Sequence, residues 1–198
     1  MSIPLRPPRL VPAAIGGHAI VVGAGMAGLA AAAALADSFE RVTVLERDAL
    51  RPDPAPRPAV PQCRQLHGLL AGGLRAFGAL FPGFDRDLVR AGAVRLRFGI
   101  DDLLEIPGCG PFPRHELGCE GYALTRPLLE LTARRRLLRL PNVLLRDRCR
   151  VLEIVPADDG RVAGVRCRAA EGLEEVVPAD LVVDASARGD LSPGLLRA

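Results

Sequence analysis

Residues 18–46 read HAIVVGAGMAGLAAAAALADSFERVTVLE, and this stretch decides the fold. A short apolar run, His18 to Val22, enters the turn Gly23-Ala24-Gly25-Met26-Ala27-Gly28. An alanine-rich helix follows, and a second apolar run, Arg41 to Leu45, ends on Glu46. The order strand, glycine turn, helix, strand, acid is what a dinucleotide requires. Gly23 permits the tight turn, Gly25 lets the backbone approach a diphosphate, and Gly28 lets the helix pack closely on the strand. The helix N-terminus then offers unpaired N–H groups and a positive dipole end to phosphates. Glu46 follows Gly28 by 18 residues, at a strand end where a carboxylate accepts from ribose hydroxyls.

Two other readings of this stretch fail. Ala19 to Ala36 is 18 residues without a charge, a borderline length for crossing ~30 Å of hydrocarbon. The run is mostly Ala and Gly, poor membrane anchors, so no membrane span is expected. A cleaved signal peptide would remove the best motif in the chain.

Composition narrows the rest. At 198 residues and 49% hydrophobic content, one domain with a real core is expected. All 26 positive residues are Arg, which excludes a Schiff-base lysine and a P-loop lysine. A net charge of +3 is too small to indicate nucleic acid as a partner. The five cysteines have no CxxC spacing and read as reduced thiols of a cytoplasmic protein, with no metal site.

Residues 1–17 read as a Pro-rich leader, and residues 18–198 as the domain. Residues 48–62 (DALRPDPAPRPAVPQ) hold five prolines and form a long connection, of a length that tends to be functional or mobile. From Cys63 to Phe81 the spacing of Leu66, Leu69, Leu70, Leu74 and Phe77 predicts a helix. A short helix is expected over Asp85–Ala91 and a half-exposed strand at Val94, Leu96 and Phe98. Thr125 is an N-cap, with Pro127 in the first turn and Pro141 stopping the helix. Strands are expected at Val143–Leu145, Val151–Val155, Arg161–Arg168, Val176–Val177 and Leu181–Asp184. Asp158-Asp159-Gly160 is a hairpin turn between the second and third of these.

Four segments in this order resemble the FAD-dependent monooxygenases of the aromatic-hydroxylase type, a para-hydroxybenzoate hydroxylase-like group that shares its FAD-binding half with epoxidases and prenyl reductases. They are Gly23–Gly28 with Glu46-Arg47, the run QCRQLHGLLAGG from Gln62 to Gly73, Thr125-Arg126-Pro127-Leu128-Leu129, and DLVVDASARGDLSP from Asp180 to Pro193. The resemblance implies an α/β fold: a Rossmann-like FAD-binding domain with a parallel central sheet and a β-meander. Part of a substrate-side β segment is implied at about 92–123. It implies oxidation of a small-molecule organic substrate by way of a flavin hydroperoxide, with FAD as cofactor and NAD(P)H as reductant. The cofactor carries that chemistry, and no residue stands out as a catalytic acid or base.

The cofactor-binding set that follows is Gly23, Ala24, Gly25, Met26, Ala27, Gly28, Glu46, Arg47, Arg64, His67 and Arg126. Several members have a second reading. Glu46 is a ribose ligand or a solvated strand-end acid. Arg47 faces a 2′-phosphate, the adenine side or solvent. His67 is a site residue or a structural histidine at a helix start. Arg126 sits where the helix dipole disfavours it and so serves a bound anion, or it pairs with Glu130. The run Arg134-Arg135-Arg136 reads as a solvated face.

The chain departs from the family pattern at its last segment. Ala187 stands where glycine is usual, and Asp190 where serine is expected. A later Gly-Asp motif of the family, on the ribityl side, is matched only superficially by Gly189-Asp190. The resemblance therefore implies an FAD-binding portion that is incomplete at its C-terminus and inactive alone. An NAD(P)-binding dehydrogenase-type module and a non-catalytic remnant of a flavoprotein are the alternatives.

Overall fold

A computed structural model describes residues 14–58, 60–102, 105–187 and 191–197. The chain falls into two compact units: Met1–Ala49 together with Leu137–Ala198, and Leu50–Arg136. The second is an insertion between two strands of the first.

The first unit is built on a parallel sheet. Strand β1 (Gly16–Val22) leads through the glycine turn into helix α1 (Met26–Leu35) and strand β2 (Phe39–Leu45). Ala19, Ile20, Val21, Val42, Val44 and Leu45 are almost wholly buried, as a strand covered on both faces must be, which is why both runs are continuously apolar. Each large side chain buried here stabilises by about 1.5–3 kcal/mol. The uncharged stretch from Ala19 to Ala36 is therefore divided between strand, turn and a helix of 10 residues. No described helix is long and apolar enough to cross a membrane. Of the expected leader, residues 1–13 lie outside the described residues, and Gly16 and Gly17 already belong to β1.

Further along the chain, β8 (Val143–Arg146) pairs in parallel with β2, and β12 (Leu181–Asp184) in parallel with β1. The sheet order is β12-β1-β2-β8. Asn142 ties its neighbours, its amide donating to the carbonyls of Ala36 at 2.8 Å and Phe39 at 3.0 Å. Strands β9 (Arg150–Pro156), β10 (Val162–Arg168) and β11 (Glu174–Pro178) form the expected antiparallel meander. Its first turn closes where expected, with Gly160 at φ +79°. Helix α5 (Leu191–Arg197) adds Leu191 and Leu195 to a core of Ile20, Leu45, Ile154 and Val165. The five cysteines are free thiols; burial, with Cys149 beside it, pushes the Cys167 thiol up to about 12.

A polar node, with His18 and Thr43 buried and Asp180 exposed, secures the start of β1. Asp180 Oδ2 accepts from the N–H groups of Gly17 and His18, both at 2.8 Å, which holds its carboxyl below the usual range. The His18 ring contacts the Pro178 carbonyl through Nδ1 at 2.7 Å and Thr43 Oγ1 through Nε2 at 2.8 Å. A carbonyl only accepts, so Nδ1 carries the proton and Nε2 accepts from the Thr43 hydroxyl. Burial holds this histidine below its ordinary pKa; the Pro178 carbonyl opposes that, and the Arg41 charge adds to it.

The second unit corrects one sequence expectation. Instead of one helix from Cys63 to Phe81, the chain makes a single 3-10 turn (Pro61–Arg64), strand β3 (Leu66–Leu69) and helix α2 (Ala71–Leu80). The partner of β3 is β7 (Glu120–Thr125), antiparallel, with His67 opposite Leu124. That pairing overrides the helical spacing of the leucines, and Leu66 is left 86% exposed. Helix α3 (Phe84–Arg90) and strand β4 (Val94–Arg97) match expectation, and the sheet order is β3-β7-β4. Two-residue strands β5 (Glu105–Ile106) and β6 (Gly110–Pro111) fill the irregular stretch, and Leu103 and Leu104 lie outside the described residues. Phe77, Phe81 and Phe84 pack ring to ring beside α2, with centroids 5.4–6.3 Å apart. Helix α4 (Arg126–Leu137) is capped by Thr125, whose Oγ1 accepts from Leu128 N–H at 3.3 Å.

The arginine run on α4 is not a solvated face. Arg134 donates to the carbonyl of Arg51 and Arg135 to that of Pro52. Arg136 pairs with Asp87 and donates to the Pro82 carbonyl. Together they fasten two loops to the helix.

Candidate functional site

The glycine turn lies at the C-terminal end of β1, where open parallel sheets bind ligands. Gly23 has φ +101°, and a Cβ there would meet the Ala185 carbonyl oxygen at 2.6 Å. A Cβ on Gly28 would lie 1.8 Å from the Gly23 carbonyl oxygen, so helix and turn touch without room for a methyl group. Gly25 differs: a Cβ there would meet nothing within 4 Å. Open space therefore lies over the N-terminus of α1. The first intrahelical bond runs from Leu29 N–H to the Gly25 carbonyl at 2.9 Å, and no described side chain caps the helix. First-turn N–H groups are thus available to an anion.

Glu46 closes the other side. It is 5% exposed, and its Oε2 accepts from Ala24 N–H at 2.7 Å while Oε1 accepts from Asp48 N–H at 2.9 Å. It is not a solvated strand-end acid. A carboxylate has about four acceptor sites, so these bonds are compatible with a ribose hydroxyl. Arg47 is exposed, with no partner among the described residues. The open cradle at Gly25, the uncapped helix and the fixed carboxylate fit the adenosine diphosphate half of FAD.

The turn after β12 is held from within. Asp184 Oδ1 accepts from Ser186 Oγ at 2.6 Å and from Ser186 N–H at 3.1 Å; Oδ2 accepts from Ser192 Oγ at 3.0 Å. Burial works to raise the Asp184 carboxyl, and the Ser186 and Ser192 bonds outweigh it, so the net shift is downward. Ala187 has φ +66°, the left-handed backbone that glycine adopts more readily, as expected of a position where glycine is usual. Gly189 and Asp190 lie outside the described residues.

In the second unit, Arg126 opens α4 and makes the pairing with Glu130 that is one of its two readings, together with a contact to His67 that the sequence does not suggest. Its Nε donates to Glu130 Oε1 at 2.8 Å, and its Nη1 lies 3.4 Å from His67 Nε2. An arginine only donates, so His67 accepts at Nε2 and carries its proton on Nδ1. Burial, then the Arg126 charge, holds His67 below its ordinary value, against Glu130. Both oxygens of Glu130 are used, because Oε2 accepts from Arg57 Nη2 at 2.9 Å. Arg64 lies in the 3-10 turn and is exposed. Sequence reading missed Arg57. Its only signal was a cation between prolines in a connection otherwise free of charge from Ala55 to Cys63.

The chain has the Rossmann-like α/β fold, with a parallel central sheet, that is found in FAD-dependent halogenases and monooxygenases. The model of an NAD(P)-binding Rossmann-like domain matches residues 21–50. Protein Rv3254 of Mycobacterium tuberculosis (strain ATCC 25618 / H37Rv) is 40% identical over 186 residues, covering 89% of this chain and 39% of that protein. The myxobacterial chondrochloren halogenase CndH, a FAD-dependent halogenase, superposes with a TM-score of 0.69 at 27% identity, over 90% of this chain and 39% of that one. For 2-methyl-3-hydroxypyridine-5-carboxylic acid oxygenase the TM-score is 0.57 at 22% identity, over 84% and 38%. That last likeness is one of fold alone. The chain spans about two fifths of the length of each of these relatives.

Proposed function

We propose that this chain supplies the FAD-binding part of an oxidoreductase that oxygenates a small organic molecule, with NAD(P)H as reductant. The observation that carries this reading is the open cradle at Gly25 beside the fixed Glu46 carboxylate, on a fold shared with a FAD-dependent halogenase over 90% of the chain. FAD, when bound, supplies the reaction of a reduced flavin with dioxygen.

The chain's own residues bind and orient. The first-turn N–H groups of α1, reached through the Gly23–Gly28 turn with Ala24, Met26 and Ala27, hold the diphosphate. Glu46 accepts from ribose hydroxyls. Arg47 and Arg64, both exposed, add positive charge for the nucleotide. Arg126 attracts an anionic group, and His67, neutral with its proton on Nδ1, offers one hydrogen-bond donor. The test is to purify the protein, release any ligand with acid and identify it. Flavin is expected, either co-purified or after reconstitution. A tightly held nicotinamide nucleotide, with no flavin uptake, would favour the NAD(P)-binding module that the match over residues 21–50 also supports.

A further inference from the structure

Arg148 has a φ of +52°, in the left-handed region that residues other than glycine seldom occupy. It lies in the link, residues 147–149, that joins β8 to β9. Main-chain hydrogen bonds hold it in that conformation. Glu46 N–H donates to the Arg146 carbonyl at 2.9 Å, Cys149 N–H to the Glu46 carbonyl at 2.9 Å, and Arg148 N–H to the Asp48 carbonyl at 3.3 Å. The link is thus stitched to the segment that carries the Glu46 carboxylate. The Arg148 side chain is exposed, and it makes no hydrogen bond or ion pair among the described residues. Strain of this kind persists only where the surroundings impose it, and it gathers at ligand sites. The sheet order says what lies over the link. All strands of β12-β1-β2-β8 run parallel and end on one edge. A diphosphate at the N-terminus of α1 sits past β1, and a ribose at Glu46 sits past β2. A nucleotide laid along that edge puts its base past the next strand, β8, where Arg148 stands. A base offers two broad π faces, and a planar guanidinium stacks on such a face.

We propose that Arg148 is a base-stacking residue of the nucleotide site: the left-handed turn after β8 brings its guanidinium to one face of the adenine whose ribose Glu46 holds. The proposal rests on the nucleotide part of the FAD-binding reading above. It adds recognition of the base, which the first-turn N–H groups of α1 and a ribose carboxylate do not read.

The experiment measures the affinity of the 198-residue protein and its variants for FAD by flavin fluorescence, and for ADP and inorganic pyrophosphate by calorimetry. Thermal unfolding checks the fold. Arg148→Gly is the informative variant, because glycine accepts the left-handed backbone and removes the guanidinium. Its unfolding midpoint should hold or rise, while its affinity for FAD and ADP should fall about fivefold, the scale of an exposed cation–π contact. Pyrophosphate, which has no base, should bind wild type and variant alike. If Arg148→Gly does not fold, Arg148→Asn, which also tolerates this backbone, decides by the same readings. Wild-type ADP affinity in the folded variant overturns the proposal. An equal loss for pyrophosphate does so too, because the arginine then serves phosphates and not the base. A lowered midpoint with equal losses for all three ligands marks a purely structural residue and is a third refutation. So is a preference for 2′-phosphorylated ADP over ADP that vanishes in Arg148→Gly, which would assign the guanidinium to a 2′-phosphate. Absence of any nucleotide binding by the wild type would overturn this proposal and the functional reading together. ADP binding that depends on Arg148, with no FAD binding, would overturn the functional reading alone.

Discussion

The Glu46 carboxylate lies 2.7 Å from the main-chain nitrogen of Ala24, which ties the end of β2 into the middle of the glycine turn. Its other oxygen takes Asp48 N–H, so one buried side chain fixes two loops. Glu46→Ala removes both bonds and should lower stability by about 1–3 kcal/mol, since buried donors then lose a charged acceptor. Urea unfolding reads this, and an unchanged midpoint would show that the turn holds its shape without the carboxylate.

Two glycines three residues apart should respond in opposite ways. Gly25→Val should leave the fold intact, because the side chain enters open space, yet abolish FAD binding by filling that space. Gly28→Ala should damage the fold itself, because its methyl group would collide with the Gly23 carbonyl. Circular dichroism and flavin titration on the pair separate the effects. Full flavin affinity in folded Gly25→Val would place the phosphate elsewhere.

Arg126→Ala should weaken FAD binding about tenfold or more, as expected for a charge-assisted contact worth ~1.5–3 kcal/mol. The charge-matched control is Arg75→Ala on α2, an exposed arginine with no partner among the described residues. Arg135, on the same helix as Arg126, is unsuitable because it holds the Pro52 carbonyl. Equal small losses from Arg126→Ala and Arg75→Ala would mean that only the general charge of the protein matters.

Acid should destabilise the protein before its carboxylates titrate. The folded pKa of His18 lies below its ordinary 6.5, so between those values the unfolded chain binds more protons than the folded one. Stability is therefore complete above about 6.5 and falls as the pH drops toward the folded value. His67, shifted the same way, adds to this slope. Asp180 and Asp184 act only lower down: their folded values lie below the ordinary 3.8, and their contribution is lost as the pH falls beneath it. Denaturation midpoints between pH 7 and pH 5 should drop in the wild type and drop less in His18→Gln. Parallel curves for the two would remove His18 as the cause.

What sequence reading could reach depended on how local the deciding interaction is. The β1–α1–β2 unit, the Thr125 cap and the Asp158–Gly160 turn all rest on neighbours within a few residues or on one repeating pattern. The strand at Leu66–Leu69 does not. Its leucines fit a helix face, and only the register against Tyr122–Thr125, more than fifty residues on, selects the extended form. The arginines at 134–136 were misread for a related reason: carbonyls of Arg51, Pro52 and Pro82 are invisible as partners until the chain is folded. In the site, glycine spacing exposed the cradle and Glu46, while Arg57 escaped notice because its partner Glu130 lies 73 residues further along the chain.

The strand order β12-β1-β2-β8 also bears on how the protein is made. Strands β1 and β2 emerge together, but β8 follows about 100 residues later and β12 later still. At roughly 5–20 residues per second, the nascent pair waits ~5–20 s for its first flanking strand. Throughout that interval both margins of a strongly apolar ribbon carry unpaired main-chain groups, the template on which chains join to one another. The inserted unit therefore sets a delay in synthesis as well as a place in the fold, and the interval before β8 arrives is when a chaperone has most to protect.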